Sequence, residues 1–316
     1  MNFKTEIKLP NFPFSISHKD KIISVGSCFS ENIGEKLKDS KFDIVVNPHG
    51  ILFNPVSVCK SLKDCLLNKQ YSPSELKTNK DLYFSFNHHS SYSGLNKLAV
   101  SEKINDSIAR ANTQLKEAKV LIITLGTSWV YKRIQTNEVV ANCYKIPNNQ
   151  FKKELLTVNE IAESLRNILE AIKLENDHIQ VIATISPVRH WKDGVVENQQ
   201  SKATLHLALK ELTDTLTYCH YFPSNEIVLD ELRDYRFYAK DMLHPSQLAI
   251  DYIWEKFSDS FFSQETKELN QRISQLTKEK NHRPFNAESE EFIAFKKQLD
   301  EKEGKLFAEF PYLKDR

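Results

Sequence analysis

Four short apolar runs stand out along the chain, at residues 21–25, 42–46, 119–125 and 179–185. The run at 119–125 is nearly all apolar, which is typical of a parallel strand that is buried on both faces. A shorter apolar run at residues 226–229 is a fifth candidate. We predict that each of these runs forms a β-strand.

Between these runs, other segments carry their apolar residues at helical spacing. The predicted helices are residues 31–37, 55–67, 157–174, 201–218 and 245–262. Strands that alternate with helices favour a parallel sheet with helices on both of its faces. The pattern therefore predicts an α/β fold.

The composition changes at about residue 264, after which Lys, Glu and Gln dominate. We predict one α/β domain over residues 1–263 and a helical extension over residues 264–316, which packs on that domain or on a partner. Lys and Arg number 43 against 42 for Asp and Glu. This balance gives no electrostatic basis for binding nucleic acid or a membrane surface, since both need an excess of positive charge.

The cysteines are odd in number and unevenly spaced, and no pair has the spacing of a zinc ribbon. They are Cys28, Cys59, Cys65, Cys143 and Cys219. Such a set is typical of reduced thiols rather than of a disulfide framework. No apolar run approaches the roughly 18 residues of a membrane span, and the N-terminus does not have the pattern of a signal peptide. We expect a cytoplasmic protein.

A candidate nucleophile follows the first predicted strand, in Gly26-Ser27-Cys28. A side chain on a tight turn between strand and helix is held at the sheet edge, and the free N–H groups of the first helical turn face a developing oxyanion. A helix N-terminus and a nearby histidine would lower the pKa of the Cys28 thiol to roughly 4–7. The alternative is that Cys28 is a small buried hydrophobic residue.

A candidate base lies near the end of the α/β region, in Asp241-Met242-Leu243-His244-Pro245. An Asp three residues before a His can orient the imidazole through one ring nitrogen while the other faces a nucleophile. Alternatively, Asp241 caps the helix that follows and His244 is solvated. The turn at Gly26 favours the catalytic interpretation.

The order of these motifs resembles the SGNH (GDSL-type) hydrolase superfamily. More narrowly, residues 26–30, Gly-Ser-Cys-Phe-Ser, resemble the motif that names the GSCFA family of bacterial proteins. Further similar segments are residues 47–55, 89–91, 125–131, 142–143, 186–190 and 241–246. The resemblance extends from about residue 20 to 262. It implies a three-layer α/β/α sandwich of the flavodoxin-like type, with a mostly parallel sheet.

The resemblance also implies roles for individual residues. The nucleophile of the superfamily is the second residue after the first-block glycine, which is Cys28 here, and Ser27 is the alternative nucleophile. Gly50 matches the second-block glycine, whose N–H is an oxyanion donor, as is the N–H of Cys28. Ser128 replaces the third-block Asn that supplies the other donor. Losing one donor can cost about 3 kcal/mol, so the Ser128 hydroxyl would make a weaker oxyanion hole.

Three residues are candidates for substrate binding. His89 is either part of the pocket wall or a packed surface histidine. Arg189 and His190 follow the strand at 179–185, where positive charge would suit a carboxylate or phosphate, or they belong to a solvated loop. Asn198, Ser201 and Lys202 are weaker candidates for the same pocket.

We expect neither a metal nor a cofactor. A zinc site formed by His49, His89 and His244 is conceivable. It would, however, remove the base from the predicted catalytic pair.

Together these features predict an acyl-ester hydrolase or O-acyltransferase that acts on a small-molecule or carbohydrate ester, with acetyl as one possible acyl group. Cys28, His244 and Asp241 would form the catalytic site. One alternative is a non-catalytic binding or scaffold protein with a degenerate site, and another is a redox-sensing thiol. The sequence leaves the acyl group, the acceptor and the oligomeric state open.

Overall fold

The computed structural model describes residues 5–280, 289–314 and 316. The strands are β1 (Lys21–Gly26), β2 (Asp43–Val46), β3 (Lys77–Asn79), β4 (Leu82–Phe84), β5 (Ala118–Leu125), β6 (Trp129–Arg133), β7 (Val139–Val140), β8 (Phe151–Leu155), β9 (Gln180–Ile185) and β10 (Cys219–Tyr221). Five of these strands form the central sheet, in the order β10-β9-β5-β1-β2. Every pair in that sheet is parallel.

Numbered along the chain, the central strands have the flavodoxin-like order 2-1-3-4-5. The order reverses between β1 and β5, and open α/β sheets bind ligands outside the carboxyl ends of their strands at such a point. The predicted α/β sandwich is confirmed, and so are the four apolar runs that we assigned to β1, β2, β5 and β9.

Helices cover both faces of this sheet. They are α1 (Cys28–Asp39), α2 (Pro55–Leu66), α3 (Lys97–Glu117), α4 (Val158–Glu175), α5 (Val195–Thr215), α6 (Ser224–Glu226), α7 (Gln247–Phe261), α8 (Gln264–Lys280) and α9 (Glu290–Glu309). Successive strand residues point to opposite faces. Ile22 therefore packs with α1 and α7, whereas Ile23 packs with α2, α3, α4 and α5.

The predicted strand at residues 226–229 is wrong. Glu226 ends the short helix α6, and a single π-helical turn, Ile227–Glu231, follows it. The last strand of the sheet is instead β10, at Cys219–Tyr221. Ile227 and Val228 are fully buried in the core, and a short apolar run of this kind does not distinguish a buried strand from a buried helical turn.

A small antiparallel sheet, β7-β6-β8, begins three residues beyond β5. It contacts loops on two sides of the central sheet. On one side, the Arg133 guanidinium lies 4.7 Å from the centre of the Phe86 ring. On the other side, Lys153 pairs with Asp193 at 2.6 Å, and the Trp129 indole N–H donates to the carbonyl oxygen of Glu197.

The last two helices, α8 and α9, have an apolar cluster of their own. Its buried members are Leu269, Ile273, Leu276, Leu299, Leu306 and Leu313. The Thr266 hydroxyl near the start of α8 donates to the carbonyl oxygen of Ile16, which lies before β1. Among the described residues, no helix has the length and apolar character needed to cross a membrane.

Candidate active site

A tight turn at Gly26 positions the candidate nucleophile. Gly26 has a φ of 142°, and a Cβ there would lie 2.1 Å from the carbonyl oxygen of Thr124 on the neighbouring strand β5. Only glycine tolerates both this conformation and this close approach. The N–H of Ser27 donates to the same carbonyl at 3.1 Å. As a result, α1 begins with Cys28 at the carboxyl edge of the sheet.

Ser27 and Cys28 have different environments. Ser27 is the N-cap of α1, is 1% exposed, and its hydroxyl accepts the Phe29 N–H at 3.3 Å. Cys28 is only partly buried. The Ser27 hydroxyl is thus used to stabilise the helix terminus, while the thiol remains accessible.

The expected lowering of the Cys28 pKa is wrong. Burial raises the pKa of this thiol, and the carboxylate of Glu31 one turn along the helix raises it further. The nearby N–H of Phe29 and the Lys202 ammonium act in the opposite direction but do not reverse the shift. Desolvation disfavours the thiolate more than the helix N-terminus favours it.

Two of the predicted oxyanion donors make hydrogen bonds to backbone carbonyls of the protein itself. The Gly50 N–H donates to the carbonyl oxygen of Asn47 at 2.7 Å. Ser128 is fully buried, and its hydroxyl donates to the carbonyl oxygen of Ser201 at 3.1 Å. Neither group is free to donate to a substrate oxygen in this arrangement. By contrast, the Cys28 N–H donates to no carbonyl oxygen in the described part of the chain.

Asn47 is a structural residue of the site that the sequence analysis did not single out. Its φ is 47°, and its side-chain oxygen accepts the Gly26 N–H at 2.9 Å. Asn47 thereby joins the end of β2 to the turn that carries Cys28. An Asn directly after a predicted strand indicates such a turn, because Asn tolerates positive φ and hydrogen-bonds locally.

Asp241 and His244 form the predicted pair. The Asp241 Oδ2 atom lies 2.6 Å from the His244 Nδ1 atom, and Oδ1 accepts the backbone N–H groups of Leu243 and His244 at 3.0 Å each. These hydrogen bonds lower the pKa of Asp241 to about 2. The ionised carboxylate favours a proton on Nδ1 and leaves Nε2 to accept one.

Both side chains of this pair are about half exposed. Among the described residues, no hydrogen bond joins the Cys28 thiol to the His244 ring. The segment that follows β9 lies next to the His244 segment. The Arg189 N–H lies 3.5 Å from the carbonyl oxygen of Leu243.

His190 lies near Gly126, at the carboxyl end of β5, with its ring centre 5.3 Å from the centre of the Phe53 ring. Its Nε2 atom is buried without a hydrogen-bond partner in the described part of the chain, and it is 3.1 Å from where a Cβ of Gly126 would lie. Burial lowers the pKa of His190 to about 4, and the charges of Lys202 and His244 contribute to this shift. His190 is therefore neutral near pH 7, so the positive charge that we expected of this segment rests on Arg189.

Lys202 is the most deeply buried cation of the site, at 5% exposure. Its Nζ atom donates to the carbonyl oxygens of Gly126 and Ser186, at 2.7 and 2.6 Å. These two carbonyls lie just beyond the ends of the neighbouring strands β5 and β9. Burial lowers the pKa of Lys202 to about 7.

His89 lies against Gly50, since a Cβ on Gly50 would be 2.4 Å from the His89 Cβ. The Nδ1 atom of His89 accepts the Ser91 N–H at 3.3 Å, so in the neutral ring the Nε2–H can donate to a ligand. The backbone of His49 is next to His89, whose N–H donates to the His49 carbonyl at 2.8 Å, but the His49 ring is buried with Nε2 3.3 Å from Asp64. The conceivable His49, His89 and His244 zinc set is not assembled: the described residues contain no group of three or more His, Cys, Asp or Glu that could hold a metal.

A family model described as the GSCFA family matches residues 21–257. The chain belongs to the GSCFA family. The match includes β1 to β10 and both candidate segments, at Cys28 and at His244. A comparison with curated protein sequences finds no match.

Solved structures show only distant similarity to this GSCFA protein. A protein from Streptococcus pneumonia, described provisionally as a platelet activating factor, is 13% identical over 76% of this chain and 83% of its own, with a TM-score of 0.40. A carbohydrate esterase family 2 enzyme with a carbohydrate-binding domain, from Corynascus thermopiles (Myceliophthora fergusii), is 11% identical over 80% and 67%, with a TM-score of 0.37. An acetyl xylan esterase from the rumen bacterium Butyrivibrio proteoclasticus is 9% identical over 80% and 64%, with a TM-score of 0.39.

The chemistry available to this GSCFA protein follows from its own residues. The site combines a thiol at a helix N-terminus, an imidazole oriented by a carboxylate, and a buried ammonium. A thiol and an oriented imidazole are the components of nucleophilic catalysis. The thiol and the imidazole lie on different elements: Cys28 begins α1, and His244 lies in the segment before α7.

Proposed function

We propose that this protein is an acyl-ester hydrolase or O-acyltransferase with Cys28 as its nucleophile. The observation that supports this most directly is the 2.6 Å hydrogen bond between Asp241 and His244. It orients an imidazole on a segment that packs against the residues following β9. Cys28 and its turn lie at the same edge of the sheet, where the strand order reverses, and open α/β sheets place their ligands there.

In the proposed reaction, His244 Nε2 accepts the thiol proton while the Cys28 sulfur attacks the ester carbonyl carbon. The carbonyl π electrons move to oxygen and form a tetrahedral oxyanion. When this collapses, the carbon–oxygen bond to the alcohol breaks, and the alcohol leaves with the proton from His244. Water or an acceptor hydroxyl then attacks the thioester, gives its proton to His244 and releases Cys28.

The raised pKa of Cys28 makes His244 essential in this proposal. A thiol that is protonated near pH 7 is a weak nucleophile, because the thiolate is the reactive form. Proton transfer to His244 must therefore accompany the attack. The Asp241 carboxylate stabilises the imidazolium that results.

The substrate we propose is a short-chain acyl ester, with a carbohydrate hydroxyl as one acceptor class. Arg189 forms no ion pair with any described residue and is only partly buried, so it is available for a carboxylate or phosphate on the substrate. The Nε2–H of His89 is a second contact, from the opposite side of the cleft.

The experiment that tests this function is a screen of short-chain acyl esters with the wild type and with the Cys28→Ala and Ser27→Ala variants. We expect Cys28→Ala to abolish turnover and Ser27→Ala to retain it with lowered stability, because Ser27 caps α1. Cys143→Ala, which removes another partly buried thiol, is the control. If Cys28→Ala turns over an ester as fast as the wild type does, the proposed nucleophile is wrong.

Non-catalytic binding is the second candidate function. It is favoured by the raised pKa of Cys28 and by the use of the Gly50 and Ser128 donors within the fold. Intact-protein mass spectrometry after mixing with p-nitrophenyl acetate separates the two candidates. An acetyl adduct on Cys28 that forms and then decays supports catalysis, whereas an unchanged mass with no release of p-nitrophenol above the rate in buffer supports binding alone.

A further inference from the structure

Lys202 is a buried cation that has no carboxylate partner among the described residues. It is 5% exposed, and its Nζ atom donates to two backbone carbonyls, those of Gly126 and Ser186. An ammonium has three N–H groups, so one remains without an acceptor in the described part of the chain. Removing a charged group from water is costly unless a charge or a full set of hydrogen bonds compensates it.

Lys202 and Cys28 lie at the carboxyl ends of neighbouring strands. The ammonium donates to the carbonyl of Gly126, two residues after Thr124 of β5, and Thr124 pairs with Gly26 at the end of β1, two residues before Cys28. Of the charged groups that affect Lys202, the Cys28 thiolate favours its protonated form and Arg189 opposes it. His190 and His206 also feel its charge, and both have a lowered pKa, chiefly because of their burial. The interaction between Lys202 and Cys28 is mutual, because Lys202 in turn lowers the pKa of the thiol.

We propose that the Lys202 ammonium, held by the Gly126 and Ser186 carbonyls, is the counter-charge for the Cys28 thiolate and for the oxyanion that its attack creates. This inference rests on the proposed function. It assigns to a side chain the stabilisation that Gly50 and Ser128 cannot supply while their donors are used within the fold. A preorganised charge at the position where negative charge develops is usually the largest single contribution to such catalysis.

Lys202 keeps its proton throughout this step. The proton of the Cys28 thiol goes to His244, and the negative charge passes from sulfur to the carbonyl oxygen and back on collapse. Because the ammonium neither gives nor accepts a proton, its role is electrostatic. The two backbone carbonyls hold it in one position while the charge moves.

The first test is the pH dependence of Cys28 alkylation by iodoacetamide, followed by peptide mass spectrometry. Because the pKa of Lys202 is about 7, its charge is present at pH 6, and we expect Cys28 in Lys202→Met to react about tenfold more slowly there than in the wild type. The difference should shrink above pH 8, where Lys202 loses its proton, and Lys202→Arg, which keeps the charge, is expected to slow the reaction less. Equal rates at pH 6 in the wild type and in a folded Lys202→Met protein would overturn the inference.

A second test leaves Lys202 intact and therefore does not depend on whether its variants fold. Alkylation of wild-type Cys28 with iodoacetate leaves a carboxylate on the sulfur, whereas iodoacetamide leaves a neutral amide of nearly the same size. NMR titration of ¹³C-labelled lysine side chains then follows the Lys202 resonance in both adducts. We expect Lys202 to titrate at least one pH unit higher beside the carboxylate, and equal titration in both adducts would contradict the pairing.

The two tests distinguish failure of this inference from failure of the proposed function. Suppose that Cys28→Ala loses ester turnover, but that Cys28 alkylation does not depend on Lys202 and Lys202 titrates equally in both adducts. The proposed function would then be supported, and the role of Lys202 as counter-charge would be wrong. Retained turnover in Cys28→Ala, with both electrostatic effects present, would overturn the proposed function and leave the pairing of Lys202 with the thiolate.

Discussion

Two sides of the cleft contain buried polar groups that lack partners, but these groups differ in charge. The β2 side (residues 47–54 and 85–91) has the parallel His49 and His88 rings, whose centres are 4.2 Å apart. Three of their four ring nitrogens have no hydrogen-bond partner in the described part of the chain. The β9 side (residues 186–190 with Lys202) has a buried ammonium and the unpartnered Nε2 of His190.

The difference in charge between the two sides distinguishes an unpartnered group that is structural from one that has a role in catalysis. Burial lowers the pKa of both His49 and His88, so these rings are neutral and stack like other aromatic side chains. Lys202 is positioned beside the one thiol at a helix N-terminus, and its charge has a use when Cys28 ionises. We therefore expect substitutions of His49 and His88 on the β2 side to change stability, and substitutions on the β9 side to change activity.

The largest expected effect is that of the Asp241–His244 pair, which packs against the β9 side. We expect His244→Ala to lower kcat/KM by about 10²–10⁴-fold, because the general base is lost. Asp241→Asn keeps the size of the side chain but loses the charge that fixes the tautomer, and we expect it to lower kcat/KM as well. Initial rates on the ester found in the screen measure both. If His244→Ala has the same rate as the wild type, the expectation that activity depends on the β9 side is wrong.

The next effect concerns Gly26, where the two sides meet. We expect Gly26→Ala to lower the free energy of unfolding by more than about 2 kcal/mol, since its Cβ would lie 2.1 Å from the Thr124 carbonyl oxygen at a φ of 142°. The control is Gly304→Ala in α9, where a Cβ has no neighbour within 4 Å and should stabilise the helix by up to about 1 kcal/mol. Urea unfolding measures both, and equal effects of the two would contradict the turn geometry.

His88→Phe tests whether the unpartnered histidine on the β2 side affects stability and not activity. Removing two buried ring nitrogens that lack partners should raise the free energy of unfolding at pH 7 by about 1 kcal/mol, with activity unchanged. The lowered pKa of His88 means that below pH 6.5 the unfolded chain binds a proton that the folded protein excludes. Wild-type stability should therefore fall as the pH drops from 7 to 5, and it should fall less in His88→Phe.

Urea unfolding at several pH values measures this linkage. Gly304→Ala is the control, because it changes no titratable group and should leave the pH dependence as it is in the wild type. If His88→Phe and the wild type lose the same free energy between pH 7 and 5, then burial of His88 is not the cause of the acid sensitivity.

The smallest expected effect on activity is that of Ser128→Ala. The Ser128 hydroxyl already donates to the Ser201 carbonyl, so its loss should change kcat/KM less than about twofold while costing about 1 kcal/mol of stability. Steady-state kinetics and urea unfolding check the two parts. A tenfold or larger fall in kcat/KM would indicate that Ser128 donates to the oxyanion, and it would weaken the proposal that Lys202 stabilises this charge.

Strands β1, β5 and β9 of the central sheet could be predicted from the sequence because they are buried on both faces. Continuous apolar runs at residues 119–125 and 179–185 leave little choice of structure. The same criterion failed at Ile227 and Val228, which are equally buried but lie in a helical turn. The sequence analysis also did not single out helix α3 (Lys97–Glu117), whose buried face mixes apolar residues with polar ones such as Ser107 and Asn112.

In the candidate site, features that depend on nearby residues in the sequence could be predicted, and features that depend on distant residues could not. The Asp241–His244 hydrogen bond was predictable because only two residues separate its partners along the chain. The burial of Lys202 was not, since this lysine follows Gln199, Gln200 and Ser201 in a helix of ordinary polar composition. The direction of the Cys28 pKa shift also depends on burial by distant elements, which no local motif records.

The small sheet β7-β6-β8 contacts the β2 side through Arg133 on Phe86 and the loop after the β9 side through Lys153 on Asp193. We expect these two contacts to hold the width of the entrance constant, so that a substrate would enter without any hinge movement. Discrimination by size would then come from a rigid opening, and release of the product would not wait for a lid. Lengthening or shortening the turn between β6 and β7 would alter which alcohols fit, while the reacting groups stayed where they are.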